Sequence, residues 1–315
     1  MGENENGGSI TNCRYNGYVD AISTSSFVTD NANAGGIAGV SSGNIKGCHN
    51  YADILATAIN SSANAGGITS MTDGTIENCS NTSATQILAT SFNSHASAGG
   101  IVGSPGPGGV IKNCLNSVDI KAEGNTSLDS VNAGGIAGGN QNVITNCYST
   151  GDVTADNSSG VDYAGGIVGN GNYPSSQISY CWAEGVIIRN STSGGTGGIA
   201  GRSDGSIKNC VALNDKLNAL SGWLNTRRIW GDGTGSGLNN WGNFAMDDGN
   251  SSPGIWTPDP ILQDGDHTFL ATASTTAFWY SSGADWTLHI IDPASDSSPW
   301  VWDTTALRPK LYFEL

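Results

Sequence analysis

The stretch NAGGIAGGNQNVITNCYSTGDVTA, residues 132–155, decides the fold, because close copies of it recur along most of the chain. It contains three glycines within its first seven residues, one cysteine, and a single charged residue, Asp152. Two parts of it recur separately, a Gly-Gly-Ile phrase and a phrase that ends in cysteine. Self-similarity at a fixed period of this size is the signature of a stacked repeat architecture.

The Gly-Gly-Ile phrase occurs six times. Its copies are AGGIAG (34–39), AGGITS (65–70), AGGIVG (98–103), AGGIAG (133–138), AGGIVG (164–169) and TGGIAG (196–201). From copy to copy its isoleucine moves by 31, 33, 35, 31 and 32 residues. The unit is therefore about 32 residues long.

The cysteine phrase occurs seven times, each time with an isoleucine three positions before the cysteine. Its copies are GSITNC (8–13), GNIKGC (43–48), GTIENC (74–79), GVIKNC (109–114), NVITNC (142–147), QISYC (177–181) and GSIKNC (205–210). A degenerate copy follows, with RIWG (228–231) and LNNWGN (238–243) in the corresponding places.

The composition favours strands. The 315 residues include 46 glycines, only 12% are charged, and no long run has a helical apolar period. Short segments rich in Val, Ile and Thr alternate with turn residues, as at 34–40, 44–48 and 53–59. We predict an all-β parallel β-helix with three strands per turn and seven to eight turns. Stacking at ~4.8 Å makes a rod roughly 35–40 Å long.

The seven cysteines should form one interior column, since each occupies the same place in its turn. They are Cys13, Cys48, Cys79, Cys114, Cys147, Cys181 and Cys210. Parallel neighbours direct their Cβ atoms the same way, which is poor geometry for a disulfide. We predict free, buried thiols. The sequence has no Cys-x-x-Cys pair or Cys/His cluster, so we predict neither a zinc site nor another cofactor.

The chain should bend between isoleucine and cysteine, because residues three apart on a straight strand face opposite ways. Asparagine precedes the cysteine in most copies, and Gly47 replaces it once. Both residues tolerate a left-handed backbone. The sequence predicts a corner with stacked asparagines: Asn12, Asn78, Asn113, Asn146 and Asn209. Tyr180 breaks the pattern and predicts a different local corner.

Aspartates follow the cysteine by five residues in three copies, as Asp53, Asp119 and Asp152. Asp119 and Asp152 lie on adjacent turns, so their carboxylates could be within ~5 Å. Such a pair suits acid–base chemistry or calcium. Ala84 and Val186 replace aspartate in neighbouring copies. Solvated turn residues are therefore the simpler interpretation, with a ligand site as the alternative.

Two aromatic residues, Tyr148 and Trp182, follow the cysteine directly on adjacent turns. If they are exposed and stacked, their rings could contact a sugar. Aromatic pairs on neighbouring strands are also ordinary packing. The two alternatives stay open at this stage.

Catalytic motifs are missing. None of the four histidines begins a His-Glu-x-x-His pattern, and no Gly-x-Ser-x-Gly elbow occurs. The 12 Lys and Arg residues are scattered, whereas a polysaccharide lyase needs acid and base in one groove. We expect a noncatalytic protein, with a lyase or glycosidase as the remote alternative.

The C-terminal region differs from the repeats. Eight of the nine tryptophans lie after residue 222, at Trp223, Trp230, Trp241, Trp256, Trp279, Trp286, Trp300 and Trp302. Terminal units of solenoids are atypical caps. We predict a solenoid over 1–246 and a Trp-rich cap over 247–315 with its aromatics laid on the last turn. A separate sugar-binding module is the alternative.

The Gly-Gly-Ile and G-x-I-x-N-C phrases resemble the GLUG motif, over about residues 8–246. That motif occurs in tandem in bacterial surface proteins, including large adhesins and noncatalytic regions of immunoglobulin A peptidases. The final WVWDTTALRPKLYF resembles the ends of such arrays in gut Bacteroidetes. The resemblance implies a cell-surface or secreted β-solenoid, and it supplies no catalytic residues.

These observations favour an adhesion or recognition module for a host or bacterial surface glycan or protein. A structural spacer in a larger surface protein is the alternative. The net charge of −15 argues against nucleic acid and anionic membranes as partners. No stretch has transmembrane length, and we expect a monomer. MGENENGGS, at the start, contains no signal peptide, and the first Gly-Gly-Ile phrase is missing, which suggests a longer natural protein.

Overall fold

The computed structural model describes residues 3–5, 7–27, 29–125, 129–141, 143–219, 225–247, 263–279, 286, 288–289 and 299–314. These residues form a parallel β-helix, which confirms the predicted fold class. Successive turns stack in register, so that residues one repeat apart in sequence pair as neighbouring strands. Each turn contributes one strand to each of five parallel sheets, numbered here in chain order within a repeat.

Sheets 1 and 2 are built from the Gly-Gly-Ile phrase. Sheet 1 contains Ala32–Gly35, Ala63–Gly66, Ala96–Gly99, Ser130–Gly134, Val161–Gly165, Ser193–Gly197 and Thr226–Arg227. Sheet 2 contains Ala38–Ser41, Thr69–Thr72, Val102–Pro105, Ala137–Gly139, Val168–Gly171, Ala200–Ser203 and Trp230–Asp232.

Sheets 3 and 4 are built from the cysteine phrase and the residues that follow it. Sheet 3 contains Ser9–Thr11, Asn44–Lys46, Thr75–Glu77, Val110–Lys112, Val143–Thr145, Gln177–Ser179, Ser206–Lys208 and Ser236–Leu238. Sheet 4 contains Arg14–Tyr15, His49–Asn50, Ser80–Asn81, Leu115–Asn116, Tyr148–Ser149, Trp182–Ala183, Val211–Ala212, Trp241–Asn243 and Asp266–Thr268.

Sheet 5 closes the turn, and a few elements lie outside the solenoid. Sheet 5 contains Tyr18–Ser23, Asp53–Ala58, Ile87–Ser91, Ile120–Gly124, Val153–Asn157, Val186–Arg189 and Lys216–Ala219. The remaining elements are the helix Leu270–Ala273, the strands Leu288–His289, Trp300–Asp303 and Arg308–Leu311, and the 3₁₀ helix Tyr312–Glu314. No helix among the described residues is long and apolar enough to cross a membrane.

The turn contains five short strands where the sequence predicts three. The predicted strand 34–40 is bent at Gly36 and Ile37, and the predicted strand 44–48 is bent at Gly47 and Cys48. The three predicted segments are present. The first turns a corner halfway, and the second ends at the corner that was predicted between isoleucine and cysteine.

Close backbone approach explains the glycine pair of the repeated phrase. A Cβ atom at Gly99, the first glycine, would lie 2.0 Å from the carbonyl oxygen of Val102. At Gly100, the second glycine, it would lie 2.2 Å from the carbonyl oxygen of Gly135 and 2.3 Å from Cγ of Asn116. Real atoms do not approach so closely. The phrase therefore has little chemistry because its corner has no room for side chains.

Isoleucine and cysteine columns fill the interior. The described cysteines are all free, and every one except Cys13 is buried. Each buried thiol donates to the carbonyl of the residue two positions earlier, as Cys114 does to Lys112 at 3.2 Å. The prediction of a fully buried column is wrong for Cys13, which is exposed. Cys13 belongs to the first turn, and only one face of that turn is covered by a neighbouring turn.

The predicted asparagine corner has a left-handed backbone. Its φ angles are between 52° and 55° at Asn12, Asn78, Asn113, Asn146, Asn209 and Asn239. Tyr180 has φ 52°, so the prediction of a different corner there is wrong. The stacked turns above and below impose the corner on tyrosine despite its lower tolerance for this conformation.

A second asparagine ladder, which the sequence analysis missed, lies in the interior. Asn50 donates through Nδ2 to Oδ1 of Asn81 at 2.8 Å, and Asn81 donates likewise to Asn116 at 2.8 Å. All three side chains are buried. Each amide satisfies its neighbour one turn away, so the polar column is tolerated inside the core.

The last turn is covered by residues 263–268. Ile229 and Trp230 donate their backbone N–H groups to the carbonyl of Gln263. The buried Arg228 guanidinium donates to the carbonyls of Gly242 and Gly265, at 2.9 and 3.0 Å. Burial lowers the pKa of Arg228 to about 10. The arginine therefore ties the covering strand to the final turn of the solenoid.

The C-terminal cap is present, but its tryptophans lie along the side of the rod. Trp279, Trp286 and Trp300 are buried against the outer surface of sheet 4 and not over the last turn. Trp223 and Trp256, which the cap prediction included, lie outside the described residues. The boundary near residue 247 remains a prediction.

Candidate functional site

The three aspartates hold successive turns together. Oδ1 of Asp119 accepts the backbone N–H of Asp152 at 3.0 Å, and Oδ1 of Asp152 accepts that of Val186 at 2.7 Å. Asp53 accepts hydrogen bonds from the hydroxyl and backbone of Thr85, and the Thr85 hydroxyl is the main reason why the Asp53 pKa is lowered. These bonds give the carboxylates a structural role. No cluster able to hold a metal occurs among the described residues.

The predicted aromatic pair is stacked but covered. The rings of Tyr148 and Trp182 are parallel within 3°, with centroids 4.6 Å apart. Both residues are buried, at 8% and 3% exposure. The Tyr148 hydroxyl donates to Glu314 at 2.6 Å, and the Trp300 ring lies beside the pair. A sugar would have to displace this C-terminal segment to reach either ring.

The pair belongs to a larger apolar surface, which we name the aromatic face. It consists of the outward side chains of sheet 4 in five successive turns, Leu115, Tyr148, Trp182, Val211 and Trp241. The described residues of the C-terminal segment cover it, with the buried side chains of Ala273, Phe278, Trp279, Trp286, Trp300 and Leu311. Trp286 Nε1 donates to the carbonyl of Asn209 at 2.9 Å, and Trp300 Nε1 donates to Oδ1 of Asn146 at 3.3 Å. Arg308 forms an ion pair with Glu184 at 2.6 Å. The aromatic face is therefore a docking surface for the chain's own C-terminal segment.

An open groove lies on a different side of the rod, where the outward side chains of sheets 1 and 2 meet. Its volume is about 310 Å³, and its lining residues come from five successive turns. Asparagine, serine and glutamine side chains supply most of its lining, and Met71, His95 and Tyr173 also contribute to it. No acidic residue, lysine or arginine is among the described lining residues. The groove is therefore polar and nearly uncharged.

Hydrogen bonds along the rod orient the groove amides. Asn64 donates to Asn33 in the previous turn at 3.0 Å, and Asn132 donates to Ser97 at 3.4 Å. Oδ1 of Asn132 and Oδ1 of Asn170 are buried and accept no hydrogen bond from the described residues. Tyr173 is 42% exposed at one end of the groove. Two unpaired acceptors thus lie in the wall of the groove, and one exposed ring lies at its end.

Beyond the groove, the charges of the next turn are paired. The Arg202 guanidinium lies over the Tyr163 ring, 5.8 Å from its centroid, and donates to Asp204 at 2.8 Å. Inside the wall, Asp162 is fully buried, and this burial raises its pKa to about 7. Because the Arg202 charge is paired with Asp204, it does not give this end of the groove a free positive charge that would attract an anionic ligand.

The groove was not predicted from the sequence, although a signal for it exists. Asparagine stands two positions before the Gly-Gly pair at Asn33, Asn64 and Asn132. This position alternates with inward alanines on sheet 1, so it faces outward in every turn. A column of outward amides next to a corner without side chains could have indicated a polar groove.

A comparison with known protein families agrees with the repeat. The family model for the GLUG motif matches residues 129–154. A crystal structure titled "putative immunoglobulin A1 protease from Bacteroides ovatus" is similar, at 18% identity, a TM-score of 0.48, and coverage of 96% of this chain and 75% of that chain. Comparison with the curated proteins gives no match. The chain is a parallel β-solenoid that carries the GLUG motif.

Proposed function

We propose that the protein is a recognition module whose groove binds an uncharged, hydroxyl-rich ligand, most simply a glycan. The observation that carries this proposal is an open polar groove with two buried acceptors, Oδ1 of Asn132 and Oδ1 of Asn170, that lack donors. A buried acceptor without a partner costs about 1–3 kcal/mol. Sugar hydroxyls would supply the missing donors and offset that cost.

The shape and charge of the groove support the same ligand class. It runs along the rod over five turns, which suits a linear oligosaccharide better than a single compact molecule. The exposed ring of Tyr173 provides an apolar surface of the kind that packs against the face of a sugar ring. Because the lining carries no fixed charge, selection rests on hydrogen bonds.

Display on a bacterial cell surface and adhesion to a host or bacterial glycan are the biological setting that we propose. The GLUG motif supports it, since the motif resembles repeats of surface proteins. The net charge of −15 disfavours nucleic acid and anionic lipid as alternative partners.

Calorimetric titration with a panel of neutral and sulfated oligosaccharides of four to six units tests the proposal. We expect neutral members to bind. Tyr173→Ala and Asn170→Ala should each weaken binding by about fivefold, because each removes one contact. Tyr18→Ala is the matched control, since Tyr18 is also exposed (56%) but lies on sheet 5. Equal losses for Tyr18→Ala and Tyr173→Ala would count against the groove.

A structural spacer is the second candidate. Strand pairing continues without interruption along sheet 5 from the first turn to the seventh, which makes a stiff rod. If no oligosaccharide in the panel binds at millimolar concentration, the spacer becomes the better account of the protein.

A further inference from the structure

Stacking brings a serine, a histidine and an aspartate together at the edge of the groove. Ala96 pairs with Val131 in sheet 1, so the residues before them, His95 and Ser130, lie at equivalent positions in adjacent turns. Ser130 Oγ lies 3.2 Å from Nδ1 of His95. Asp129 Oδ1 lies 3.1 Å from Nε2 of the same ring. His95 and Ser130 both line the groove.

The hydrogen bonds fix which ring nitrogen of His95 carries the proton. The backbone N–H of Ser130 donates to Nδ1 at 3.1 Å, so Nδ1 presents a lone pair. In the neutral ring the proton then sits on Nε2 and is donated to Asp129. The Ser130 hydroxyl lies 3.2 Å from Nδ1 and shares this one lone pair with the backbone N–H, so Nδ1 accepts the hydroxyl proton when the N–H bond is released. A serine, a base and an orienting carboxylate in this order have the roles of a nucleophilic triad.

A fourth residue is placed to stabilise negative charge. Asn132 Nδ2 donates to Ser130 Oγ at 3.2 Å, and the Asn132 side chain is buried beside it. When Oγ bonds to a carbonyl carbon, the carbonyl oxygen lies next to Oγ, and the Asn132 amide reaches it by exchanging its bond to Ser130 Oγ or to Ser97 Oγ for one to that oxygen. A side-chain amide is a known type of donor to such an oxyanion.

We propose that this cluster cleaves acyl esters carried by the ligand of the groove. Ser130 Oγ attacks the ester carbonyl carbon while its proton passes to Nδ1 of His95. The bond between that carbon and the alcohol oxygen then breaks, and Nδ1 returns the proton to the departing alkoxide. Water hydrolyses the acyl-serine, releases the carboxylic acid and restores the hydroxyl. The His95 side chain is 52% exposed, so water reaches the ester.

Ser130 and His95 touch the reacting atoms, whereas Asp129 acts through the ring and is a positioning residue. The same position of sheet 1 holds Ser62 one turn before His95 and Val161 one turn after Ser130. Ser62 has neither imidazole nor carboxylate among its described contacts. Because Ser62 lines the groove, the control serine is Ser117, which is exposed and lies outside the groove.

The substrate class rests on the proposed function, but the chemistry is tested separately. The full chain is incubated with a biotinylated alkyl fluorophosphonate, and the labelled residue is identified by peptide mapping. We expect one label, on Ser130. Ser130→Ala should abolish labelling, His95→Ala should slow it by about 100-fold, and Ser117→Ala should leave it unchanged. Asp129→Asn should slow labelling and change its pH profile, which a merely structural role would not do.

A second assay follows hydrolysis of 4-nitrophenyl acetate by the same variants, with thermal melting to check their fold. Absence of labelling on Ser130 in the folded wild-type chain overturns the catalytic proposal, and oligosaccharide binding in the same sample leaves recognition intact. Labelling of Ser130 without oligosaccharide binding would support the esterase cluster and contradict glycan binding in the groove. Equal hydrolysis by wild type and Ser130→Ala also overturns the proposal.

Discussion

The aromatic face and the groove are two outward surfaces of one stack, and the protein treats them in opposite ways. The aromatic face presents Tyr148 and Trp182 from sheet 4, and the C-terminal segment buries it. The groove presents amides and hydroxyls from sheets 1 and 2, and it is open. Both extend over several turns, because any outward position recurs once per repeat.

The difference shows what decides the fate of a column in a solenoid. Because the turns stack in register, the side chains at one outward position of the repeat form a continuous stripe along the rod. Exposing an apolar stripe to water costs about 25 cal/mol per Å², so such a stripe is stabilised when another segment covers it. An amide stripe satisfies part of its hydrogen bonding along the rod, as Asn64 does with Asn33, and can remain exposed.

Deleting residues 247–315 should have the largest effect on stability, because it uncovers the aromatic face and the last turn together. Trp279, Trp286 and Trp300 are each at most 2% exposed. Each should contribute roughly 1.5–3 kcal/mol, so their combined loss approaches the 5–15 kcal/mol stability of a typical domain. We expect the fragment 1–246 to aggregate in size-exclusion chromatography. A monomeric fragment with an unchanged melting temperature would support a separate C-terminal module instead.

Replacing one covering residue should have the next largest effect. Trp286→Ala removes a buried ring and its hydrogen bond to the carbonyl of Asn209. We expect a loss of about 3–5 kcal/mol in unfolding free energy by urea denaturation. Tyr173→Ala, an exposed aromatic of the groove, should change it by less than about 0.5 kcal/mol. Similar losses for the two variants would mean that the two surfaces do not differ in burial.

The wall between the interior and the groove should respond to pH through Asp162. Its folded pKa, about 7, lies above the ordinary value of 3.8. A raised carboxyl pKa means that the folded state binds the proton more tightly, so this contribution is complete below about pH 4 and lost as pH rises to about 7. The loss is on the order of 4 kcal/mol. Asp162→Asn should flatten the difference in unfolding free energy between pH 4 and pH 8, and an unchanged pH dependence would contradict this assignment.

Two glycine substitutions, one at the crowded corner of the repeat and one in the lining of the groove, should have the smallest effect. A Cβ atom at Gly99 would meet the carbonyl of Val102 at 2.0 Å, whereas at Gly139 the nearest atom is 3.8 Å away. Gly99→Ala should therefore cost about 1–3 kcal/mol through overpacking. Gly139→Ala should cost almost nothing, and chemical denaturation compares the two. Equal stability of the variants would remove the steric account of the repeated glycine.

The repeating part of the fold could be predicted because every turn restates it. The cysteine and isoleucine positions indicate an inward column, and asparagine before cysteine indicates the left-handed corner. The stack also enforces this pattern where the residue is unusual, which is why Tyr180 adopts the same φ as the asparagines. At Tyr180 the position in the repeat predicts the backbone conformation better than the residue type does.

The non-repeating contacts could not be predicted in the same way. Nothing local in the sequence relates Trp300 to Asn146 or Arg308 to Glu184, since these pairs lie 154 and 124 residues apart. The cover of the aromatic face therefore emerges only from the folded chain. Ser130 and His95 are different, because the repeat register places them in contact, although neither residue belongs to a catalytic sequence motif.

Hydroxyl-radical footprinting of the native chain, read by mass spectrometry, tests the contrast between the two surfaces most directly. Tyr148 and Tyr173 have the same chemistry but exposures of 8% and 42%. We predict that Tyr173 is oxidised about fivefold faster than Tyr148, as the ratio of these exposures implies. Equal oxidation of the two tyrosines would show that the aromatic face is open and would contradict the account.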